Sequence, residues 1–190
     1  SLFTARDTAS LLSWGITVPN PVVNGSKFAL AFPQTTNNFK DMIHGIHAGK
    51  DRATPIRIVR NRTPDAINII NGGTIGFPGV LNNCKSCHTY NGYNMPIANV
   101  LPTRETAEDL VATDTVTKAR TAIGTVGATD LMITPFTAAC VTCHDSTPAK
   151  AHMVLNGGQI KVARSALNIN GESCAVCHGA GSTYDPAKVH

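Results

Sequence analysis

The 190-residue chain carries 16 basic and 12 acidic side chains for a formal charge of +4, with 42% hydrophobic residues but only 5% aromatic ones. Its arginines, among them Arg52, Arg57, Arg60, Arg62 and Arg104, are scattered rather than gathered in a run, which argues against nucleic acid as a partner, and no stretch of 18 apolar residues offers a membrane span. So thin a supply of large aromatic side chains leaves a core of this length underfilled unless something other than protein occupies it.

Residues 1–36 read as a loop-rich lead-in, with Pro19 and Pro21 interrupting any long element. Asn38 then has the character of an N-cap, with Asp41 in the first turn, and Phe39, Met42, Ile43 and Ile46 recur at helical spacing until Gly49 closes the helix. His44 and His47 share this helix, about 60° apart around its axis. Residues 56–60 alternate as Ile-Arg-Ile-Val-Arg and residues 66–70 read Ala-Ile-Asn-Ile-Ile, with Pro64-Asp65 between them, a pattern for a small hairpin. Asn71-Gly72-Gly73 and Pro78-Gly79 are turn signals. Thr103 to Ala112 is expected to form a helix and 113–136 a long polar loop. A further helix is expected near Thr137, and another opens at Pro148 and runs through His152 to a stop at Gly157.

Three segments carry the chemistry: Cys84-Lys85-Ser86-Cys87-His88, Cys140-Val141-Thr142-Cys143-His144 and Cys174-Ala175-Val176-Cys177-His178. Two thiols three positions apart meet the two vinyl groups of one porphyrin, and the imidazole next to them reaches its iron. Structural zinc is the rival for paired cysteines, yet three pairs do not divide into four-cysteine sites. More decisively, a histidine follows every pair. With seven histidines in the chain, three such coincidences have a chance on the order of one in twenty thousand. A thioredoxin-like dithiol would need one pair at a helix start in an α/β pattern, which is absent. The sequence therefore predicts three covalent haem c groups, attached through Cys84, Cys87, Cys140, Cys143, Cys174 and Cys177, with His88, His144 and His178 as proximal iron ligands. The fold expected around them is mainly short α-helices and loops packed on the haems, with little β-structure beyond the hairpin near 56–70. The six haem propionates would turn the basic chain into a roughly neutral to acidic holoprotein, and arginines are natural partners for them.

His44, His47, His152 and His190 remain as distal ligands, four candidates for three irons. Met42, Met95, Met132 and Met153 are alternative sixth ligands that would raise a potential. If the irons are saturated on both sides, the chain is an electron carrier and not an enzyme. The rivals are a multihaem reductase of nitrogen or sulfur oxyanions, which needs an open iron, and a subunit of a haem-bearing filament, in which a spare histidine reaches a neighbour.

The segments Phe39–Gly49 (FKDMIHGIHAG), Pro78–His88 (PGVLNNCKSCH), Cys140–Gly158 (CVTCHDSTPAKAHMVLNGG) and Glu172–His190 (ESCAVCHGAGSTYDPAKVH) resemble, in content and order, the C-terminal part of a pentahaem domain in outer-membrane decahaem cytochromes of the OmcA/MtrC type. That resemblance implies an exported protein of the cell surface or outer membrane, with the periplasm as second choice. It implies bis-histidine haems of low potential that pass respiratory electrons to mineral oxides, metal chelates, flavins or other multihaem cytochromes. It assigns distal roles to both histidines of Phe39–Gly49, to His152 and to His190. The family has two further CxxCH motifs ahead of the paired-histidine helix, and this sequence has none. The surplus ligand then suits an upstream haem, and residues 1–190 are expected to form a single trihaem domain that is a fragment of a larger multihaem protein.

Overall fold

The computed structural model describes residues 38–63, 66–90, 92–106 and 125–190. The lead-in expected at 1–36, and residues 107–124 of the expected helix and loop, lie outside the described residues.

Helix α1 spans Phe39–Ala48, and the Asn38 side chain caps it by accepting the Asp41 N–H at 2.8 Å. It ends as expected at Gly49, whose φ is 44°. A Cβ there would collide with the Ile75 carbonyl, so glycine lets the helix end press against the turn at 72–75. Lys50 N–H bonds the same carbonyl at 3.0 Å. Strands β1 (Arg57–Thr63) and β2 (Ala66–Asn71) form the anticipated antiparallel hairpin, in register from Arg57 opposite Asn71 to Arg60 opposite Asn68.

The helix expected from Thr103 is not formed over its first four residues. Thr103–Thr106 is strand β3, paired antiparallel with β4 (Leu131–Ile133), which pairs in turn with β5 (Val162–Ala163). Local propensity gave way to a partner some 25 residues away. The β-branched Thr103 and Thr106 suit a pleated ribbon once Ile133 and Leu131 lie opposite them. The same pairing puts a strand within the stretch read as loop.

Helix α2 is Pro135–Cys140, beginning two residues earlier than expected, and α3 is Thr147–Leu155 behind an N-cap at Ser146. Ile133, Ala138, Val141 and Met153 form the buried cluster between them. Short helices α4 (Ala175–His178) and α5 (Pro186–Val189) complete the chain. The core is sparse in large side chains: the largest fully buried ones among the described residues are Thr134, Thr137 and Thr142. Large apolar groups stand outside instead, with Leu155, Val176, Leu101 and Phe39 each about three-quarters exposed or more. The described residues are thus mostly loops and short helices, with one hairpin and one small three-stranded sheet.

Candidate haem centres

Each Cys-x-x-Cys-His segment folds into one turn. The histidine N–H bonds the carbonyl of the first cysteine at 2.9 Å in the first motif, 2.8 Å in the second and 2.9 Å in the third. Positions i, i+3 and i+4 share one side of such a turn, so both thiols and the imidazole face the same way. In every motif the first cysteine is half-buried and the second exposed. Burial pushes the Cys140 thiol up to about 11 and raises Cys143 and Cys174 as well.

The four remaining histidines are sorted by the fold. His44 on α1 stacks on His88, with ring centroids 6.0 Å apart and planes inclined by 22°. His190, beyond α5, meets His144 at 5.6 Å and 84°. His152 on α3 meets His178 at 6.1 Å and 84°. Two imidazoles on opposite sides of one metal, each with a bond of about 2.0 Å, would place their centroids roughly 6 Å apart, and all three pairs have that separation. In the second pair the Nε2 atoms stand 3.3 Å apart while the centroids are 5.6 Å apart. The difference is about two ring radii, so these nitrogens point at each other. An iron between them would need the rings to part by roughly 0.7 Å.

His47 has no histidine opposite it among the described residues. Its ring meets Phe77 edge-on at 5.3 Å, and its Nδ1 lies 2.7 Å from the Ile43 carbonyl one turn back. That contact makes Nδ1 the donor and leaves Nε2 as a lone pair directed away from the helix. His178 is oriented in the same manner, Nδ1 to the Tyr184 carbonyl at 3.0 Å. Burial, reinforced by His88, lowers the pKa of His44, and burial reinforced by His190 and His178 lowers that of His144. Both shifts favour the neutral imidazole, which is the metal-binding form.

The methionines take no comparable position. Met95, Met132 and Met153 are buried, and Met153 belongs to the α2–α3 core. Among the described residues there is no cluster of three or more His, Cys, Asp or Glu side chains suited to a bare metal ion. Four of the apolar residues left exposed lie beside the motifs and their partners: Val154 and Leu155 close to His152, Val176 within the third motif, and Val189 next to His190. Cysteine pair, facing imidazoles and apolar surroundings all suit a covalently held haem.

Three carboxylates that the sequence did not single out hold these parts together. Asp145, next to His144, is buried, accepts the Ala53 and Thr54 N–H groups at 2.8 and 2.6 Å, and lies 3.7 Å from Arg52. It therefore ties the segment after α1 to the second motif. Glu172, just ahead of the third motif, accepts the Phe136 and Thr137 N–H groups and the Thr134 hydroxyl at 2.8, 2.7 and 2.9 Å. It thereby caps α2, which ends on Cys140. Buried Asp185 caps α5, below His190, through the Ala187 N–H at 2.9 Å and also accepts Gly181 N–H at 2.6 Å. Their partners lie up to 92 residues away, so only the short Asp185 cap left a local signal: an acid directly before a proline at a helix start. Of the arginines, Arg52 and Arg104 are engaged by the chain's own acids, Asp41 and Asp145 in one case and Asp130 in the other.

The three motifs are also neighbours. Cys143 is within electrostatic reach of Cys84, Cys140 of Cys174, and His144 of His178, and the Met95 carbonyl beyond the first motif accepts the Ala180 N–H just after the third at 2.9 Å, so the three motifs lie close to one another. No helix among the described residues is long and apolar enough to cross a membrane. No curated protein and no solved structure matches the chain. A family of outer membrane cytochromes does, over residues 24–190, and its haem c chemistry serves electron transfer. The chain belongs to that family, the outer membrane cytochrome MtrC/MtrF-like domains II/IV.

Proposed function

We propose that residues 1–190 form a trihaem electron conduit within a larger multihaem cytochrome. In this reading His88, His144 and His178 are proximal ligands, and His44, His190 and His152 are their respective distal partners. The observation that carries it is the pairing itself: each histidine that follows a cysteine pair faces a different one of the other four. Haem bound at these sites supplies a one-electron couple that no side chain here provides. The chain's part would be to fix the group through two thioethers, to offer it an imidazole from either side, and to hold neighbouring sites at a set spacing. With both positions filled from the chain, a substrate has no place to coordinate, and the protein acts as a carrier and not an enzyme.

His47 is then the surplus ligand, with Nε2 directed outward. We assign it to a haem attached elsewhere, upstream in the same polypeptide as the family resemblance implies. The same outward imidazole favours one second reading, a filament subunit in which His47 reaches a neighbour's haem. Placement at the cell surface, and delivery of electrons to mineral oxides, metal chelates, flavins or another multihaem cytochrome, extend the proposal on the strength of the family alone.

Intact mass of the holoprotein should show three haem additions. His44→Ala should open one iron to cyanide, whereas His47→Ala should leave all three six-coordinate and low-spin. The imidazole planes cross near 84° at the second and third sites and lie within 22° at the first, so the oxidised protein should show two classes of low-spin electron paramagnetic resonance signal. A high-spin iron in the native chain that shifts with nitrite would overturn the carrier reading in favour of a reductase.

A further inference from the structure

We propose that the Glu172 carboxylate sets the reduction potentials of the second and third haem sites, holding both down, with Lys40 as its counter-charge. This rests on the motifs being haem sites as argued above. Glu172 sits two positions ahead of Cys174, and its carboxylate lies on the first turn of α2, whose last residue is Cys140. Ser173 is fixed in turn on the Asn156 carbonyl, at the end of the helix carrying His152, by its N–H at 3.0 Å and its hydroxyl at 3.2 Å. The negative charge is thus immobilised between the attachment points of two sites and close to a distal ligand's helix.

A fixed negative charge opposes the arrival of an electron at a nearby centre and favours its oxidised state. The effect depends on how far that charge is neutralised, and here two of the chain's other interior acids differ. Asp130 lies 2.8 Å from Arg104, and Asp145 lies 3.7 Å from Arg52. Among the described residues no cation is in ion-pair contact with Glu172; its three partners are two backbone N–H groups and a hydroxyl. Being only partly exposed, it is also less screened by solvent than a surface acid. Its field reaches both attachment points: it adds, after burial, to raising the Cys174 thiol and, after burial and the Cys174 thiol, to raising that of Cys140.

Lys40 is an opposing charge that senses Glu172. Its ammonium donates to the Leu101 carbonyl at 2.6 Å and to the Pro135 carbonyl at 3.4 Å, placing it at the start of the same helix α2. Burial lowers its pKa and Glu172 raises it, so the two groups sense each other without touching.

The test is a redox titration of the purified holoprotein, followed by electron paramagnetic resonance, for the native chain, Glu172→Gln, Lys40→Gln and the double variant. Glu172→Gln should raise two of the three midpoint potentials, Lys40→Gln should lower the same two, and the double variant should return toward the native values. The site with near-parallel ligand planes should move least in the Glu172 variant. Potentials that stay put, or that shift in the same direction in both single variants, would reduce Glu172 to a structural pin and overturn the proposal. Should glutamine unseat α2, Lys40→Gln still decides, because it leaves the cap in place. A native chain lacking haem at the second and third motifs, seen by mass, would instead strike down the reading beneath it and this proposal together.

Discussion

The loop carrying Cys84–His88 and the block carrying the other two motifs are built by different means. Around the first motif the backbone bonds are short-range: Asn83 to Val80, Ser86 to Asn83, and Cys87 and His88 to Cys84. Val80 is 67% exposed and Tyr90 fully so, and the loop is tied down beyond the motif where Ala180 N–H bonds the Met95 carbonyl at 2.9 Å. The second and third motifs are instead braced by the α2–α3 core, the β3–β4–β5 sheet and the carboxylates of Asp145, Glu172 and Asp185. One turn is enough to present two thiols and an imidazole. Holding two such turns at a fixed distance needs buried apolar surface and acids that accept several backbone N–H groups at once. The latter block is thus arranged by long-range contacts of the protein itself, while the first is held by bonds within its own loop and one tie beyond the motif.

The largest expected effect on this contrast comes from Glu172→Ala. It strips three hydrogen bonds from the start of α2 and should cost about 3 kcal/mol, read as a lower denaturant midpoint together with faster amide exchange over 131–178. Unchanged exchange there would mean that the block does not depend on its carboxylate brace. A smaller effect is expected from acid. The Gly181 and Ala187 N–H groups hold the Asp185 carboxyl below the usual carboxylate range. A depressed folded-state pKa means that its contribution is complete above the unfolded value of about 4 and is lost as pH falls through the folded one. Exchange at residues 181–190 should therefore rise with acid below pH 4, and Asp185→Asn should abolish that rise. The smallest effect belongs to the first loop: Lys85→Ala, at an exposed position with no brace to lose, should change stability by no more than about 0.5 kcal/mol.

What the sequence disclosed follows the range of the forces involved. The cap at Asn38, the stop at Gly49, the alternation around Pro64-Asp65 and the helix opening at Pro148 are all written within a few residues of where they act, and each was legible. The motifs were legible for the same reason, since thiols and imidazole must be neighbours to meet one porphyrin. Thr103–Thr106 misled because its strand partner lies beyond residue 130, and α2 starts at Pro135 because a carboxylate from residue 172 receives its first N–H groups. That four histidines remain beside the three motifs could be counted in the sequence. Which of them stands apart could not, because His44 and His47 share one short helix and each follows an isoleucine. Only the placement of His88 beside His44, and of Phe77 beside His47, separates them.

The Asp145 carboxylate reaches across 92 residues of chain to Ala53, and the β3–β4 pairing and the Lys40–Pro135 contact bridge much of the same interval. Continuity of the polypeptide is therefore redundant between residues 106 and 125. A protein severed once in that interval should migrate as a single particle under native conditions and separate into two pieces only in denaturant.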